Sequence, residues 1–525
     1  MRPAGDDGTG GGIGGWDEPT VAPTDGPVGA DRAGGLRAEA RVGGRWGLLV
    51  AVLQQLGSVV ATLVLARRLL PIDFGIVALT YSVIALVRVV TDAGLGTALV
   101  VRETVERSVE SSTFWLAVII GSAATAIAVL LAGSAARLGG VPAAAPYIAV
   151  SSSQILLSLV LSVVRGVLLR GLRYRLVYGA EAAGLLTYVS VQIVLALTTD
   201  LGAWVVVIGW VADSLVTAVV LAVGARWRPA WHMAVSDIRS DLKFNATYTG
   251  AAVANSAAKN IDNWFVGRTM GATPLGNYYI AFALPNILRQ RLTTVVSQVM
   301  LPILRRIEQT SQRHRVFLAY TQMVAFVAVP ALVGIAVLAD PVVRLFFGPK
   351  WLDAIPPLRI VALAATCELL TALSIPVFLA ARCPGKTFRV NVARLGCLGA
   401  GLAVVGLGDG SLQQVAAAVL VSAFTAAAVS IYDVCRLTGL RVGALAGALV
   451  PVVVAVVTMA AAVAGVDRAL GGAAPVLRLT VGAAVGAATY LATGLVGFRD
   501  VFRPLIREAW RFAGGGRMSS ALSVN

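Results

Sequence analysis

The feature that most constrains this chain is a rhythm of apolar runs, each about 20 residues long, recurring from Trp46 to about residue 496. A helix of that length rises about 30 Å, the thickness of the hydrocarbon core of a bilayer. Inside lipid such runs satisfy their backbone N–H and C=O groups as helices. Only 13% of the 525 residues are charged, against about 25% in soluble domains, and 57% are apolar. A soluble core of that composition would have no hydrated surface. The expected fold is an all-α integral membrane protein with about fourteen transmembrane helices.

The runs divide the chain. Residues 1–45 are rich in Gly, Asp, Pro and Thr and hold no apolar segment, so they read as a disordered tail. Six spans are expected in 46–224, six more in 246–434 and two extra ones in 445–496, followed by a basic tail over 497–525. The first, seventh and eighth spans fall at about 46–66, 246–267 and 276–300.

The net charge of +16 lies in short clusters between apolar runs, which suits topology better than a nucleic-acid surface. With a cytoplasmic N-terminus, the tails and the loops after even-numbered spans hold about 29 Lys/Arg and the other loops about 7. That asymmetry predicts that both termini are cytoplasmic. Cys367, Cys383, Cys397 and Cys435 form no C-x-x-C pair, and His232 and His314 lie in polar loops, so no disulfide, metal or cofactor site is expected. No phosphate-binding loop, nucleophile elbow, zinc-protease or paired-carboxylate motif occurs, so ATP hydrolysis and covalent catalysis are not expected, no catalytic residue is assigned and the chain is not expected to be an enzyme.

An internal repeat carries more information. Ala66–Gly75, ARRLLPIDFG, aligns without a gap on Gly267–Gly276, GRTMGATPLG, at an offset of 201 residues. The same offset pairs Arg88 with Arg289. A second echo relates AARLGGVPAAAP, before the fourth span, to VVRLFFGPKWLDAIPP, before the tenth. Spans 1–6 and 7–12 are therefore expected to be pseudo-symmetric six-helix bundles related by an axis along the membrane normal, enclosing a central cavity.

Ionisable groups inside a span cost at least about 2.5–3.5 kcal/mol at the helix centre, so they face protein or water. Tyr248, Asn255, Lys259, Asp262 and Asn263 recur at helical spacing on the seventh span, and Gln55 lies on the first. Arg88 and Asp92 fall on the second span, Glu181 on the fifth, Asp213 on the sixth, and Arg289 and Arg291 on the eighth, where Pro285 is expected to break or kink the helix. These groups serve either as interhelical hydrogen-bonding partners or as the lining of a cavity. A cavity holding Arg88, Lys259, Arg289 and Arg291, with Gln55, Asn255, Asn263 and Tyr248 as polar lining, is net positive and suits an anionic substrate, since guanidinium groups bind phosphate bidentately. Asp92 and Asp262 either bind a coupling H+ or Na+ or pair with Arg88 and Lys259.

The stretches LARRLLPIDFGIVAL (65–79), TDAGLGTALVVRETVERSVESSTFWLAVIIG (91–121), KNIDNWFVGRTMGATPLGNYYIAFALPNI (259–287) and FFGPKWLDAIPPLRIVALAA (346–365) resemble bacterial Wzx-like oligosaccharide and lipopolysaccharide flippases. These form the polysaccharide transporter branch of the multidrug/oligosaccharidyl-lipid/polysaccharide superfamily, and the resemblance runs from about residue 46 to 440. It implies two six-helix bundles in a V, often with two further helices, in the bacterial cytoplasmic membrane. It implies as substrate a glycan on a polyprenyl pyrophosphate, flipped by alternating access for cell-surface polysaccharide biosynthesis, with a polysaccharide polymerase and glycosyltransferases as partners. Asp262, in the K-N-I-D-N segment, is the one residue that falls in a recurrent family motif. The alternatives are an ion-coupled multidrug or amphiphile exporter of the same superfamily, which would need an acidic cavity, and a membrane-embedded glycan polymerase or glycosyltransferase.

Overall fold

The computed structural model describes residues 50–513 except 51–52, 55–56, 93–94, 97–98, 100–105, 235–238, 308, 384 and 409. Gln55, the whole of the tail expected over 1–45 and the end of the basic tail lie outside these residues. Among the described residues the chain is helical, with no strand.

In the first half, α1 covers residues 57–68 and α2 covers Pro71–Asp92. Then come α3 (Arg107–Leu138), a 3₁₀ turn at Pro142–Ala144 that leads into α4 (Ala145–Ser151) and α5 (Ser153–Arg170), α6 (Tyr174–Thr198) and α7 (Trp204–Ala225). The second half has α8 (Arg239–Met270), α9 (Ala272–Arg306), α10 (Thr310–Val337) and the short α11 (Ala339–Phe346). A 3₁₀ turn at Pro349–Ala354 leads into α12 (Ile355–Ala380), followed by α13 (Gly385–Gly406) and α14 (Leu412–Thr438). Two further helices, α15 (Val442–Ala469) and α16 (Pro475–Gly497), pack on each other, and α17 (Arg499–Ala513) closes the described chain.

Eleven of these segments are long and apolar enough to cross a membrane. The three missing from the expected fourteen are the first, seventh and eighth. The first is described only in part, while α8 and α9 have ample length, at 32 and 35 residues, but are too polar along their course. α9 runs through Pro285 as uninterrupted α-helix, so the expected break is absent. Leucines and valines such as Leu130 (81% exposed), Val223 (77%) and Val496 (85%) cover the outer surface, as lipid-facing side chains should.

The repeat has a structural counterpart. α2 and α9 begin at Pro71 and Ala272, separated by the same 201 residues as the sequence alignment. They cross so closely that a Cβ on Gly75 would lie 1.8 Å from the Ala272 carbonyl oxygen, and a Cβ on Gly276 would lie 1.8 Å from that of Pro71. Each contact becomes the other when 201 is added to one partner and subtracted from the second, which is the signature of an isologous two-fold contact. The second echo also holds: the two 3₁₀ turns both start on proline, at Pro142 and Pro349.

These turns close one end of the bundle. The Trp351 indole N–H donates to the Ala66 carbonyl at 2.9 Å, Lys350 donates to the Arg67 carbonyl at 3.1 Å, and Arg67 donates to the Leu345 carbonyl. On the other side of the pseudo-axis, the Gly139–Gly140 backbone abuts Gly267 and Arg268. Gly140 has φ +71° and a Cβ there would lie 2.2 Å from the Gly267 oxygen, so both conformation and space require glycine. Phe74 meets Trp351 edge-on at 5.1 Å between centroids and Tyr279 at 6.0 Å, and these rings belong to the largest buried apolar cluster. Dispersion and burial of large aromatic area hold this end shut.

Candidate functional site

α2 runs away from the closed end, whereas α8 runs toward it, and the two pack side by side. The Asn263 amide donates to Ser82 Oγ at 3.3 Å across the two halves. From that bond Arg88 lies six residues on, about 9 Å along the axis, and Lys259 lies four residues back, about 6 Å. Both cations therefore sit beyond the seal at similar depth, one in each half.

In the second half the charges converge. Arg289 Nε lies 2.9 Å from Glu368 Oε2, and Arg394 donates to Oε1 of the same carboxylate. Arg289 is further fixed by Asn286 Oδ1, at 2.9 Å from Nη2 and 3.2 Å from Nε. Lys259 is exposed and within electrostatic reach of Arg289, Arg394 and Glu368. Two arginines thus share one carboxylate with a third cation, Lys259, in electrostatic reach, the four groups drawn from α8, α9, α12 and α13. The cluster keeps unneutralised positive charge in a partly dry setting, where an anion with several oxygens gains most from charge-assisted hydrogen bonds.

Asp262 is placed differently from its neighbour Lys259. Its carboxylate is buried, accepting from the Tyr278 hydroxyl at 2.8 Å and from the Asn263 backbone N–H at 3.0 Å. No Lys259–Asp262 ion pair forms among the described residues, because α9 presents Tyr278 to the carboxylate.

In the first half, Arg88 is exposed into a cavity of 390 Å³ lined by Tyr81, Ile84, Gln154, Trp210 and Asp213. Asp213, on α7, is within electrostatic reach of Arg88 and of Glu181, on α6. Glu181 is held by Arg165 at 2.6 Å. This wall balances two arginines with two carboxylates, unlike its counterpart in the second half.

The side chains of Asp92, Tyr248, Asn255 and Arg291 lie outside the described residues, although all four positions are helical, at the end of α2, on α8 and on α9. The expected cavity residues that are described split between the two halves: Arg88 in one, Lys259 and Arg289 in the other, with Asn263 bridging. Glu368, the centre of the cationic cluster, went unnoticed in the sequence. The signal was available, since a lone carboxylate in the apolar span TCELLTAL is expensive there and needs partners.

Residues 64–356 match the family described as polysaccharide biosynthesis protein. The lipopolysaccharide biosynthesis protein WzxC of Escherichia coli K12 is 24% identical over 328 residues, covering 62% of this chain and 66% of that protein. The succinoglycan biosynthesis transport protein ExoT of Rhizobium meliloti is 26% identical over 305 residues, or 57% and 61% of the two chains. The chain thus spans somewhat less than two thirds of these relatives. Among solved structures, the lipid II flippase MurJ in an inward closed conformation superposes with a TM-score of 0.71 at 12% identity, covering 87% of this chain and 100% of that one. An inward-facing multidrug transporter of the MATE family gives 0.60 at 15% identity, over 75% and 96%. At such identities these two neighbours establish the fold alone. The match over more than half of its length makes the chain a member of the polysaccharide biosynthesis protein family, built on the multi-pass helical fold that MurJ and the MATE transporters share.

Proposed function

We propose that this protein is a flippase that moves a polyprenyl-pyrophosphate-linked oligosaccharide across the bacterial cytoplasmic membrane by alternating access. The observation that carries the reading is the pairing of Arg289 and Arg394 on Glu368, with Lys259 in electrostatic reach, inside a bundle whose far end is sealed by the α2–α9 crossing. A pyrophosphate offers several anionic oxygens to this cluster and replaces the water lost on entry, while the polyprenyl tail stays in lipid. The family match and the names of WzxC and ExoT as biosynthesis and transport proteins support the same role.

In this scheme both termini are cytoplasmic, as the Lys/Arg distribution predicts, which makes the sealed end the outer one and the observed state inward-facing. The functional units are the bundles 46–224 and 246–434 and the appended pair 445–496, flanked by the tails 1–45 and 497–525. The protein transports without catalysing a reaction, with Asp92 or Asp262 coupling H+ or Na+ entry to the return step and a polymerase or glycosyltransferases supplying and taking the glycan. A cationic-drug exporter would need carboxylates to dominate, and the cluster has three cations to one.

The test is polysaccharide export in a strain carrying Arg88→Ala or Arg289→Ala, each alone, alongside flipping of fluorescent polyprenyl diphosphate lipids in proteoliposomes. Export should drop at least about tenfold for Arg289→Ala, as expected when a charge-assisted bond of about 1.5–3 kcal/mol is removed. Undiminished export in both variants would overturn the cavity assignment. Absence of lipid flipping by the unaltered protein would overturn the function.

A further inference from the structure

We propose that the cavity of the first half is a saccharide subsite that holds the sugar nearest the pyrophosphate, separately from the cationic cluster that holds the phosphates. This rests on the flippase reading above and assigns the substrate's two chemistries to two walls.

Four properties of the cavity point to a neutral polyhydroxyl ligand. First, its charges are balanced: Arg88 faces Asp213, and the neighbouring Glu181 is paired with Arg165. A phosphate here would meet the repulsion of two carboxylates, whereas a hydroxyl donates to a carboxylate and accepts from a guanidinium. Second, Tyr81 and Trp210 form an aromatic corner, with centroids 6.2 Å apart and planes at 48°, and both line the cavity. A pyranose ring has an apolar C–H face that packs on such rings, while its rim of hydroxyls stays free to hydrogen-bond.

Third, Gln154 lines the cavity and is only 9% exposed, and its Nε2, shut off from water, has no hydrogen-bond partner, so a turn of the amide about its last bond toward the cavity would give it one. A buried amide donor without a partner costs about 1–3 kcal/mol, and a ligand hydroxyl or acetamido carbonyl would remove that cost. Fourth, the volume of 390 Å³ lies in the range of about 300–1,000 Å³ for small-molecule sites, enough for a short saccharide and far too small for a polyprenyl chain. The cavity is also in the right place: Arg88 and Lys259 stand at similar depth on either side of the Asn263–Ser82 bond. A sugar and the pyrophosphate it is joined to can then occupy adjacent walls at once.

The experiment compares two lipids on the purified protein in nanodiscs: a polyprenyl diphosphate carrying one N-acetylhexosamine, and the same lipid without sugar. The unaltered protein should bind the sugar-bearing lipid more tightly. Gln154→Leu and Trp210→Leu should each erase most of that preference, about tenfold, with affinity for the sugarless lipid as the internal reference. Arg394→Gln should weaken both lipids alike. Gln154→Leu replaces an unsatisfied buried donor by an apolar group of similar size, so it keeps the test valid even if Trp210→Leu folds poorly. Equal affinity of the unaltered protein for both lipids, or an unchanged preference in Gln154→Leu, overturns the saccharide subsite and leaves the flippase reading standing. Binding of neither lipid by the unaltered protein overturns that reading, and the subsite with it.

Discussion

Adding one methyl group at the α2–α9 crossing should open the sealed end. In Gly75→Ala the new Cβ would lie 1.8 Å from the Ala272 carbonyl oxygen, whereas ordinary contact begins at 3.4 Å. The opposing oxygen is backbone, so no rotamer change relieves the clash and the helices must part by about the difference. Overpacking of this kind costs about 1–3 kcal/mol, borne by the sealed state and absent from any state in which the helices have separated, so the equilibrium shifts about 5–150-fold toward opening. The reporter is Ala78→Cys, 1% exposed in the sealed cluster, in a background where the four native cysteines are replaced. Thiol labelling by a charged reagent should be slow in the parent and at least tenfold faster with Gly75→Ala. Gly276→Ala should match it, because its clash with Pro71 is the two-fold mate of the first. The double variant should add little, since helices already parted for one methyl accommodate the second. Unchanged labelling in both single variants, or a response in only one, would refute the pseudo-symmetric seal.

Two other perturbations probe the charge networks. Glu368→Gln removes the carboxylate that bridges Arg289 and Arg394, leaving two guanidinium groups to repel each other; thermal stability should fall by an amount toward the lower end of about 3–5 kcal/mol, and Arg394→Gln in the same chain should restore much of it. A thermally silent Glu368→Gln would show that the arginines are not held by this pair. At the far end, Asp340 joins Arg344 at 2.8 Å and Arg478 at 2.6 Å. Burial alone would raise the Asp340 carboxyl, but the bonds from Arg344 and Arg478 outweigh it and hold the group below its ordinary value. A depressed carboxyl contributes its stability in full above the unfolded value of about 3.9 and loses it as pH falls through the folded one. The stability difference between the unaltered protein and Asp340→Asn should therefore be constant from pH 6 to 5 and shrink only below about pH 4; a difference that grows on acidification would contradict this.

The backbone plan was legible because a repeat is written in spacing. The 201-residue offset of ARRLLPIDFG and GRTMGATPLG reappears in the starts of α2 and α9, and the glycines that end the two stretches, Gly75 and Gly276, are the close-approach points of the crossing. The apolar runs located the eleven spans that meet both length and hydropathy. They could not do so equally well for α8 and α9, whose inward faces carry the polar residues of the site and dilute the apolar signal. Polarity that weakens a helix as a membrane span is, in this fold, what places it at the centre.

Which side chains meet was much less legible, for a different reason. Spacing along one helix says what shares a face and nothing of what the neighbouring helix presents to that face. Lys259 and Asp262, three residues apart, were natural partners on paper, yet Asp262 turns to Tyr278 and Lys259 stands near Glu368 from a span that drew no attention. The same limit applies to the two arginines that the repeat makes equivalent. Arg88 and Arg289 each stand seventeen residues into their helices, since Pro71 and Ala272 open α2 and α9. One faces a carboxylate and a second acidic group behind it, and the other joins two more cations around a single glutamate. Duplication therefore accounts for where the arginines stand, and substitution on the surrounding helices accounts for what each of them can bind. A symmetric pair would offer a symmetric ligand two identical ends. A substrate with a neutral saccharide at one end and a diphosphate at the other needs the two halves to have diverged, and the divergence lies in the neighbours of Arg88 and Arg289 rather than in the arginines themselves.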